Sequence, residues 1–302
     1  NAEKINDYTG EKFDAVFIAT GLQNSMKLNV PGEESAGVLQ AVSFLKDVNT
    51  GKKVALGKKV VVIGGGSVAI DVATAASRLG APDVTVTCLE CSHEEMPAQD
   101  EEIQQAIEEG IKIEMSWGPK AILANNGKVS GLELKRCTTC YDKSGRFSPV
   151  YNEDETKKIE ADMVITAIGQ SSELSFLPAT SKVKTTKRGI IEVDARSLAT
   201  SVDGVYAGGD IRRGAGLMIE AMADGRLAAT AIDCYLSGAA LPPEPPPVIL
   251  ADVTEPAFQF HLREYTKEPR TTTEVVAPAK RKGTFQEINL GFTNKQTCVT
   301  EA

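Results

Sequence analysis

The sequence predicts an α/β fold built around a parallel sheet, and three observations support this prediction. Residues 60–63 are consecutive β-branched residues, typical of a strand that is buried on both faces. Glycines follow directly, and apolar residues then recur at three- and four-residue spacing as far as Leu79, which predicts a helix closed by Gly80. A second apolar strand, residues 84–89, follows the helix. A strand, a helix and a strand in this order form a βαβ unit, whose strands are parallel.

The turn between the first strand and the helix has the pattern G-x-G-x-x-A, with Gly64, Gly66 and Ala69 at its defined positions. Gly64 permits a tight turn, Gly66 lets a pyrophosphate approach the backbone, and Ala69 lets the helix pack closely on the strand. The start of the helix, at Ser67 and Val68, offers free N–H groups and the positive end of the helix dipole to phosphates.

Glu90 stands at the end of the second strand, about 20 residues after the turn, where an acidic side chain binds the hydroxyls of an adenosine ribose. We therefore predict a dinucleotide site formed by Glu90 and the turn that contains Gly65. The alternative is a βαβ unit without a ligand. The combination of strand, turn, helix and acidic residue favours the nucleotide site.

Composition excludes several classes of function. The 302 residues suggest about two domains, and 42% hydrophobic with 25% charged residues is typical of a globular protein. The net charge of −8 argues against nucleic acid or an anionic membrane as a partner. No apolar run is long enough to cross a bilayer and no signal-peptide pattern opens the chain, so we expect a cytoplasmic location. Only two histidines, His93 and His261, are present, which leaves little for histidine-based catalysis or metal binding.

Periodicity predicts the other elements in chain order. Residues 13–21 form a buried strand with a small-residue turn, and its sheet partners must come from elsewhere in the chain. The later predicted elements are a short helix within the connector 35–57, a helix at 99–109, a strand at 111–115, hairpin strands at 120–123, 131–136 and 159–160, a buried strand at 161–169, a strand pair at 183–196, a strand at 202–210 and a helix at 217–236. Residues 242–247 are a polyproline-like linker, and 248–302 an extended arm that lies on another surface.

Five motifs together resemble the two-dinucleotide-domain flavoproteins of the pyridine nucleotide-disulfide oxidoreductase superfamily, in particular the branch similar to the glutamate synthase small subunit. The resemblance extends over residues 10–240 and rests on the order and spacing of the motifs. These motifs are Ala19-Thr20-Gly21, Gly64-Gly65-Gly66-Ser67-Val68-Ala69, Glu94-Glu95-Met96-Pro97-Ala98, Ala167-Ile168-Gly169-Gln170 and Gly204-Val205-Tyr206-Ala207-Gly208-Gly209-Asp210.

The resemblance implies a Rossmann-like NAD(P)H domain inserted in a partial FAD-binding domain, followed by an extended C-terminal arm. The implied segments are 1–34 (FAD domain, first segment), 35–57 (connector), 58–170 (nucleotide domain), 171–240 (FAD domain, second segment) and 241–302 (arm). The cofactor contacts that it implies, besides the glycine turn and Glu90, are Ala167, Ile168, Gly169, Thr20, Gly21, Gly209, Asp210 for the ribityl chain, and Met218 and Ala221 near the flavin pyrimidine. No catalytic side chain and no metal ligand is expected, because hydride transfer from nicotinamide to flavin is chemistry of the cofactors.

The sequence departs from the family in three ways. The N-terminal FAD fingerprint is missing, so we expect a fragment or a flavin site completed by another chain, and weak FAD binding by this chain alone. NADPH-using members carry paired arginines where Glu90-Cys91 stands here, which predicts a preference for NADH. Residues 280–293 are similar to a segment that leads into a ferredoxin-type module in some relatives, which suggests an iron–sulfur partner.

We therefore predict a flavin-dependent oxidoreductase subunit or fragment that transfers hydride between NADH and FAD and passes electrons to an iron–sulfur or other acceptor subunit. Two alternatives remain: a glutamate synthase small subunit, and a non-catalytic nucleotide-binding docking module. Arg212, Arg213 and Arg226 either neutralise cofactor charge or are solvated.

Two C-x-x-C pairs, Cys88/Cys91 and Cys137/Cys140, leave three interpretations open. They are a redox dithiol, a zinc site with four cysteine ligands, or separate thiols. Cys88 is predicted inside the second strand, and Cys137 and Cys140 fall in a hairpin region. This favours separate buried or loop thiols.

Overall fold

The computed structural model describes residues 13–243 and 272–292. The chain begins with β1 (Val16–Ile18) and β2 (Asn24–Ser25), and then forms β3 (Val38–Gln40), α1 (Ala41–Asn49), β4 (Lys59–Ile63), α2 (Ser67–Arg78), β5 (Asp83–Thr87), α3 (Asp100–Glu108) and β6 (Lys112–Glu114). It continues through β7 (Trp117–Asn125), β8 (Lys128–Tyr141), β9 (Phe147–Glu160), β10 (Met163–Thr166), β11 (Gln170–Ser171), β12 (Val205–Ala207), α4 (Asp210–Arg213) and α5 (Met218–Ser237).

A five-stranded parallel sheet in the order β3-β10-β4-β5-β6 forms the centre of the first unit. Val60 and Val62 of β4 pack on the helix side, whereas Val61 and Ile63 face the neighbouring antiparallel sheet. Both faces of β4 are therefore buried, which explains its uninterrupted β-branched run. The predicted α/β class with a parallel sheet is confirmed.

The antiparallel sheet β7-β8-β9 is larger than the predicted hairpin. Asn126 and Gly127, both with positive φ, form the tight turn between β7 and β8. Strand β9 spans Phe147–Glu160, whereas only 159–160 were expected, because its mostly exposed, polar residues carry no hydrophobic signal. Strand β5 ends at Thr87, so Cys88 follows the strand and does not lie inside it as predicted.

The second unit joins distant parts of the chain. Strand β1 pairs in parallel with β12, in agreement with the prediction that its partner comes from elsewhere. Strands β2 and β11 pair antiparallel and run between the two units. The strand pair predicted at 183–196 is reduced to a single bridge, Thr185 to Ile191, beside the turn at Gly189. The last predicted helix is confirmed as α5.

Residues 272–292 lie on the outer surface of α2 and α3. A bridge between Val275 and Asn289 closes the segment, and the Gly283 N–H donates to the Arg78 carbonyl at 3.0 Å. Arg281 is buried there and donates to Glu108 at 3.1 Å. Most of the linker 242–247, the remainder of the predicted arm and Cys298 lie outside the described residues.

Within the ranges 13–243 and 272–292, no helix combines the length and hydropathy needed to cross a bilayer.

Candidate functional site

The glycine turn joins β4 to α2. One of its positions can be occupied only by glycine, and another leaves open space in front of the backbone. Gly64 has φ +143°, and a Cβ atom there would stand 2.3 Å from the Ala167 carbonyl oxygen, so this position requires glycine. Gly66 precedes α2 with φ −91° and ψ 170°, and a Cβ atom there would meet no atom within 4 Å. Ala69 is fully buried against the sheet. The open space at Gly66, in front of the first N–H groups of α2 at Ser67 and Val68, fits a bound phosphate group.

Glu90 lies directly against this turn. Its side chain is 6% exposed, and its Oε2 would stand 2.3 Å from a Cβ atom at Gly65. Oε2 has no hydrogen-bond partner among the described residues. A buried carboxylate oxygen without a donor is energetically costly, so this position fits a ligand hydroxyl that supplies one.

Two neighbouring segments position the turn and Glu90. The Gly65 carbonyl accepts the Ala98 N–H at 3.2 Å, which ties the turn to the Met96-Pro97-Ala98 motif. The Glu90 carbonyl accepts the Ser116 N–H at 2.8 Å, and the Gly64 N–H donates to the Thr87 carbonyl at 2.9 Å. These backbone contacts fix the geometry of the glycine turn and of Glu90 without using their side chains.

The end of β10 lies beside the glycine turn and leads to the second unit. The Ala167 N–H donates to Ile63 at 2.8 Å, and the Gly169 carbonyl accepts the Met26 N–H at 3.0 Å. Gly169 has φ +117°, a conformation that favours glycine. Ala167, Ile168 and Gly169 therefore connect the edge of the nucleotide site to the β2–β11 link.

A cavity of about 370 Å³ lies at the carboxyl ends of β1 and β12. It is called the second cavity here, to distinguish it from the open space at Gly66. Gly208 belongs to its floor, and a Cβ atom there would stand 2.7 Å from the Phe17 ring. Met218 is 80% exposed, and Leu217 and Ile219 are also exposed at the start of α5. The cavity is lined by Phe17, Ala19, Gly21, Gly208, Gly209, Asp210, Gly216, Leu217, Met218 and Ala221. Its apolar wall and glycine backbone fit one face of a flat aromatic ring system.

Asp224 organises the backbone of this second cavity and was missed by the sequence reasoning. Its buried carboxylate accepts the Gly209 N–H at 2.8 Å and pairs with Arg212 at 2.7 Å and with Arg213. The guanidinium groups of Arg212 and Arg213 hold the pKa of the Asp224 carboxyl well below its usual range, and Arg212 has the larger effect. Arg212 and Arg213 are therefore both paired with Asp224 and are not simply solvated. Arg226 is exposed. The sequence signal that could have identified Asp224 is its position as a charged residue inside an alanine-rich helix.

The predicted site residues thus fall into two groups. The glycine turn, Glu90 and the end of β10 come together at the carboxyl ends of β4, β5 and β10 in the central sheet. Gly21, Gly209, Asp210, Met218 and Ala221 come together around the second cavity. Thr20 lies next to Gly21, and its carbonyl accepts the Gln23 side-chain amide at 2.9 Å. No group of three or more histidine, cysteine or acidic side chains within the described ranges is arranged to hold a metal ion.

Comparisons with known proteins identify the family to which the chain belongs. A family model described as pyridine nucleotide-disulphide oxidoreductase matches residues 2–225. The chain is 38% identical over 295 residues to the NADP(+)-dependent formate dehydrogenase subunit beta of Moorella thermoacetica, which covers 95% of this chain and 41% of that protein. It is also 38% identical over 235 residues to a putative glutamate synthase (NADPH) small chain of Cereibacter sphaeroides, covering 74% of this chain and 56% of that one. The chain thus spans about half the length of these curated relatives.

Among solved structures, thioredoxin reductase of T. acidophilum superposes with a TM-score of 0.56 and 30% sequence identity. The superposition covers 74% of this chain and 66% of that protein. The similarity includes the mixed α/β architecture with its parallel sheet.

Proposed function

Because the chain belongs to the pyridine nucleotide-disulphide oxidoreductase family, we propose that it transfers hydride between NADH and FAD and passes the electrons to an iron–sulfur partner. The observation that carries this proposal is the pairing of an open glycine turn at Gly66 with the buried Glu90 carboxylate, whose Oε2 has no hydrogen-bond partner among the described residues. The turn suits a pyrophosphate and the carboxylate suits a ribose. Together they define one end of a dinucleotide.

We assign the nucleotide site to residues 58–170 and the flavin site to residues 13–34 with 171–240. In the nucleotide site, the first N–H groups of α2 would hold the pyrophosphate, and Glu90 would accept the ribose hydroxyls. In the flavin site, Asp210 would bind the ribityl chain, and the start of α5 would lie near the pyrimidine. Bound nicotinamide and flavin supply the hydride chemistry. The chain's own residues bind and orient the cofactors and exclude water.

The preference for NADH rests on Glu90. A carboxylate accepts hydrogen bonds from both ribose hydroxyls, each of which contributes about 1.5–3 kcal/mol when one partner is charged. A 2′-phosphate would replace one hydroxyl by a like charge beside a buried carboxylate, which disfavours binding. The Moorella relative is named for NADP(+), so Glu90 is the residue at which this chain and its relatives should be compared.

The electron acceptor is the part of the proposal that lies outside the chain. The two curated relatives described above are a subunit and a small chain of larger enzymes. A flavin that accepts two electrons as hydride can release them one at a time, which suits an iron–sulfur partner. Electrons would leave through the exposed start of α5, where Leu217 and Met218 line the proposed flavin cavity.

An anaerobic titration tests the proposal. The protein is purified with its bound flavin or incubated with FAD, and the visible spectrum is recorded as NADH is added. We expect the flavin absorbance to bleach with NADH and to be restored by a one-electron acceptor. NADH binding without any flavin reduction would contradict the proposed activity and support a nucleotide-binding docking module.

Two variants test the preference for NADH. Glu90→Arg should raise the affinity for NADPH relative to NADH, and Glu90→Gln should weaken NADH binding without creating NADPH binding. Glu94→Gln is the matched control, because Glu94 is an exposed acid in the loop after Glu90. An unchanged NADPH-to-NADH ratio in Glu90→Arg would show that Glu90 does not discriminate between the two nucleotides.

A further inference from the structure

Cys137 and Cys140 are held in contact by an irregular stretch of β8. Their sulfur atoms lie 3.9 Å apart, and the residues are 1% and 2% exposed. In a regular strand, residues three apart face opposite sides of the sheet. Here the register with β9 shifts between Cys137 and Thr139 and again between Thr139 and Tyr141. These two irregularities turn both thiols to the buried side of the sheet. The contact between the two sulfur atoms therefore follows from the backbone geometry of β8.

The thiol pair is connected to Glu90 through the backbone. The Cys137 N–H donates to the Ser116 carbonyl at 2.8 Å, and the Ser116 N–H donates to the Glu90 carbonyl at 2.8 Å. Ser116 has φ +67°, a left-handed conformation that is uncommon for a residue other than glycine. A change in the backbone at Cys137 therefore reaches Glu90 through two hydrogen bonds.

Electrostatics at the pair favour uncharged sulfur. Burial raises the pKa of both the Cys137 and the Cys140 thiols, and the nearby Glu90 carboxylate raises them further. A thiolate next to this carboxylate is disfavoured, whereas a thiol or a disulfide carries no charge. The two neutral states are therefore the ones that this site accommodates.

We propose that Cys137 and Cys140 form a reversible disulfide whose formation weakens nucleotide binding at Glu90. The effect on binding rests on the proposed function, whereas the disulfide itself does not. Bond formation must bring the sulfur atoms from 3.9 Å to about 2.05 Å. In this proposal part of that approach is taken up by the backbone at Cys137, and the shift is passed to Ser116 and Glu90 through their hydrogen bonds.

The oxidant is a small disulfide, for which oxidised glutathione is the probe. One cysteine sulfur attacks the glutathione disulfide, forms a mixed disulfide and releases one glutathione thiol. The second cysteine sulfur then displaces the remaining glutathione. Overall, two cysteine thiols lose two protons and two electrons, and one glutathione disulfide becomes two glutathione thiols. Exchange should be slow, because both thiols are buried and protonated.

The first experiment identifies the disulfide by mass spectrometry. The folded protein is equilibrated with mixtures of reduced and oxidised glutathione, its free thiols are alkylated, and it is digested with trypsin. Cleavage after Arg136 and Lys143 places both cysteines on one peptide, residues 137–143. We expect this peptide to resist alkylation and to be two hydrogen masses lighter after oxidation, and to recover on reduction. Full alkylation at every glutathione ratio, or a cross-link from this peptide to the one that contains Cys91, would overturn the proposal.

The second experiment measures NADH affinity in the reduced and oxidised protein. We expect the oxidised protein to bind about tenfold more weakly, which corresponds to about 1.4 kcal/mol. Cys140→Ser should show no difference between the two conditions, whereas the matched control Cys234→Ser, a thiol on α5, should keep it. Equal affinity in both forms of the wild type would overturn the link to Glu90. Absence of NADH binding in both forms would instead contradict the proposed function, and the peptide measurement would still decide whether the disulfide forms.

Discussion

A methyl group added at Gly66 should weaken nucleotide binding strongly and leave the fold almost unchanged. Gly66 has a φ of −91°, which alanine adopts freely, and its Cβ would meet no atom within 4 Å. Alanine is a poorer helix N-cap than glycine by about 0.5–1 kcal/mol. The loss of freedom in the unfolded chain offsets this by about 0.4–1 kcal/mol. The free energy of unfolding of Gly66→Ala should therefore stay within about 1 kcal/mol of the wild type.

The same methyl group would occupy the space through which a pyrophosphate approaches the start of α2. Loss of two hydrogen bonds to the charged group, at about 1.5 kcal/mol or more each, amounts to about 3 kcal/mol. This corresponds to roughly 100-fold weaker NADH binding.

Gly64→Ala is the matched control, because the same chemical change should have the opposite effect two residues earlier. Gly64 has φ +143°, and an added Cβ would lie 2.3 Å from the Ala167 carbonyl oxygen. Strain and displacement of this backbone should cost about 3 kcal/mol and lower the melting temperature by about 6–12 °C.

Circular dichroism gives the melting temperatures, and fluorescence titration with NADH gives the affinities. If Gly66→Ala binds NADH as the wild type does, the pyrophosphate does not lie at this turn. If Gly64→Ala melts with the wild type, the packing argument for the turn is wrong.

Asp224→Asn should lower the free energy of unfolding, measured by calorimetry, by about 3–5 kcal/mol, because Arg212 and Arg213 lose their buried partner. The control Asp233→Asn, at an exposed position of the same helix, should have no effect. Since the folded-state pKa of Asp224 is lowered, its stabilisation is complete above the ordinary aspartate pKa and is lost as the pH falls below about 4. The wild type and Asp224→Asn should then converge in urea unfolding, and a constant difference would contradict this. Arg281→Ala should make residues 272–292 more sensitive to limited proteolysis, because the side chain anchors this segment to Glu108, whereas the exposed Lys282→Ala should not.

The nucleotide turn could be predicted from sequence because its determinants are local. Strand β4, the glycines and helix α2 are contiguous in the chain, whereas the close approach of Ala167 to Gly64 comes from the end of β10 and has no such local signal. The burial of Glu90 could not be predicted, because it depends on Gly65 and on Ser116, which comes from a later segment.

Features that depend on pairing between distant residues could not be predicted from the order of residues in the chain. Strand β9 is polar and exposed, and only its ladder with β8 makes it a strand. The contact between Cys137 and Cys140 arises from the two register shifts in that ladder, which alternation of apolar residues does not reveal. The role of Asp224 depends on a helix that packs beneath the turn at Gly209.

The most direct test of hydride transfer is the rate at which NADH bleaches the protein-bound flavin, measured anaerobically by stopped flow. NADH that carries deuterium at the transferred position is compared with ordinary NADH. We expect flavin bleaching to be slower with the deuterated nucleotide and much weaker in Gly66→Ala. Bleaching that is absent, or that proceeds equally in Gly66→Ala and the wild type, would contradict this prediction.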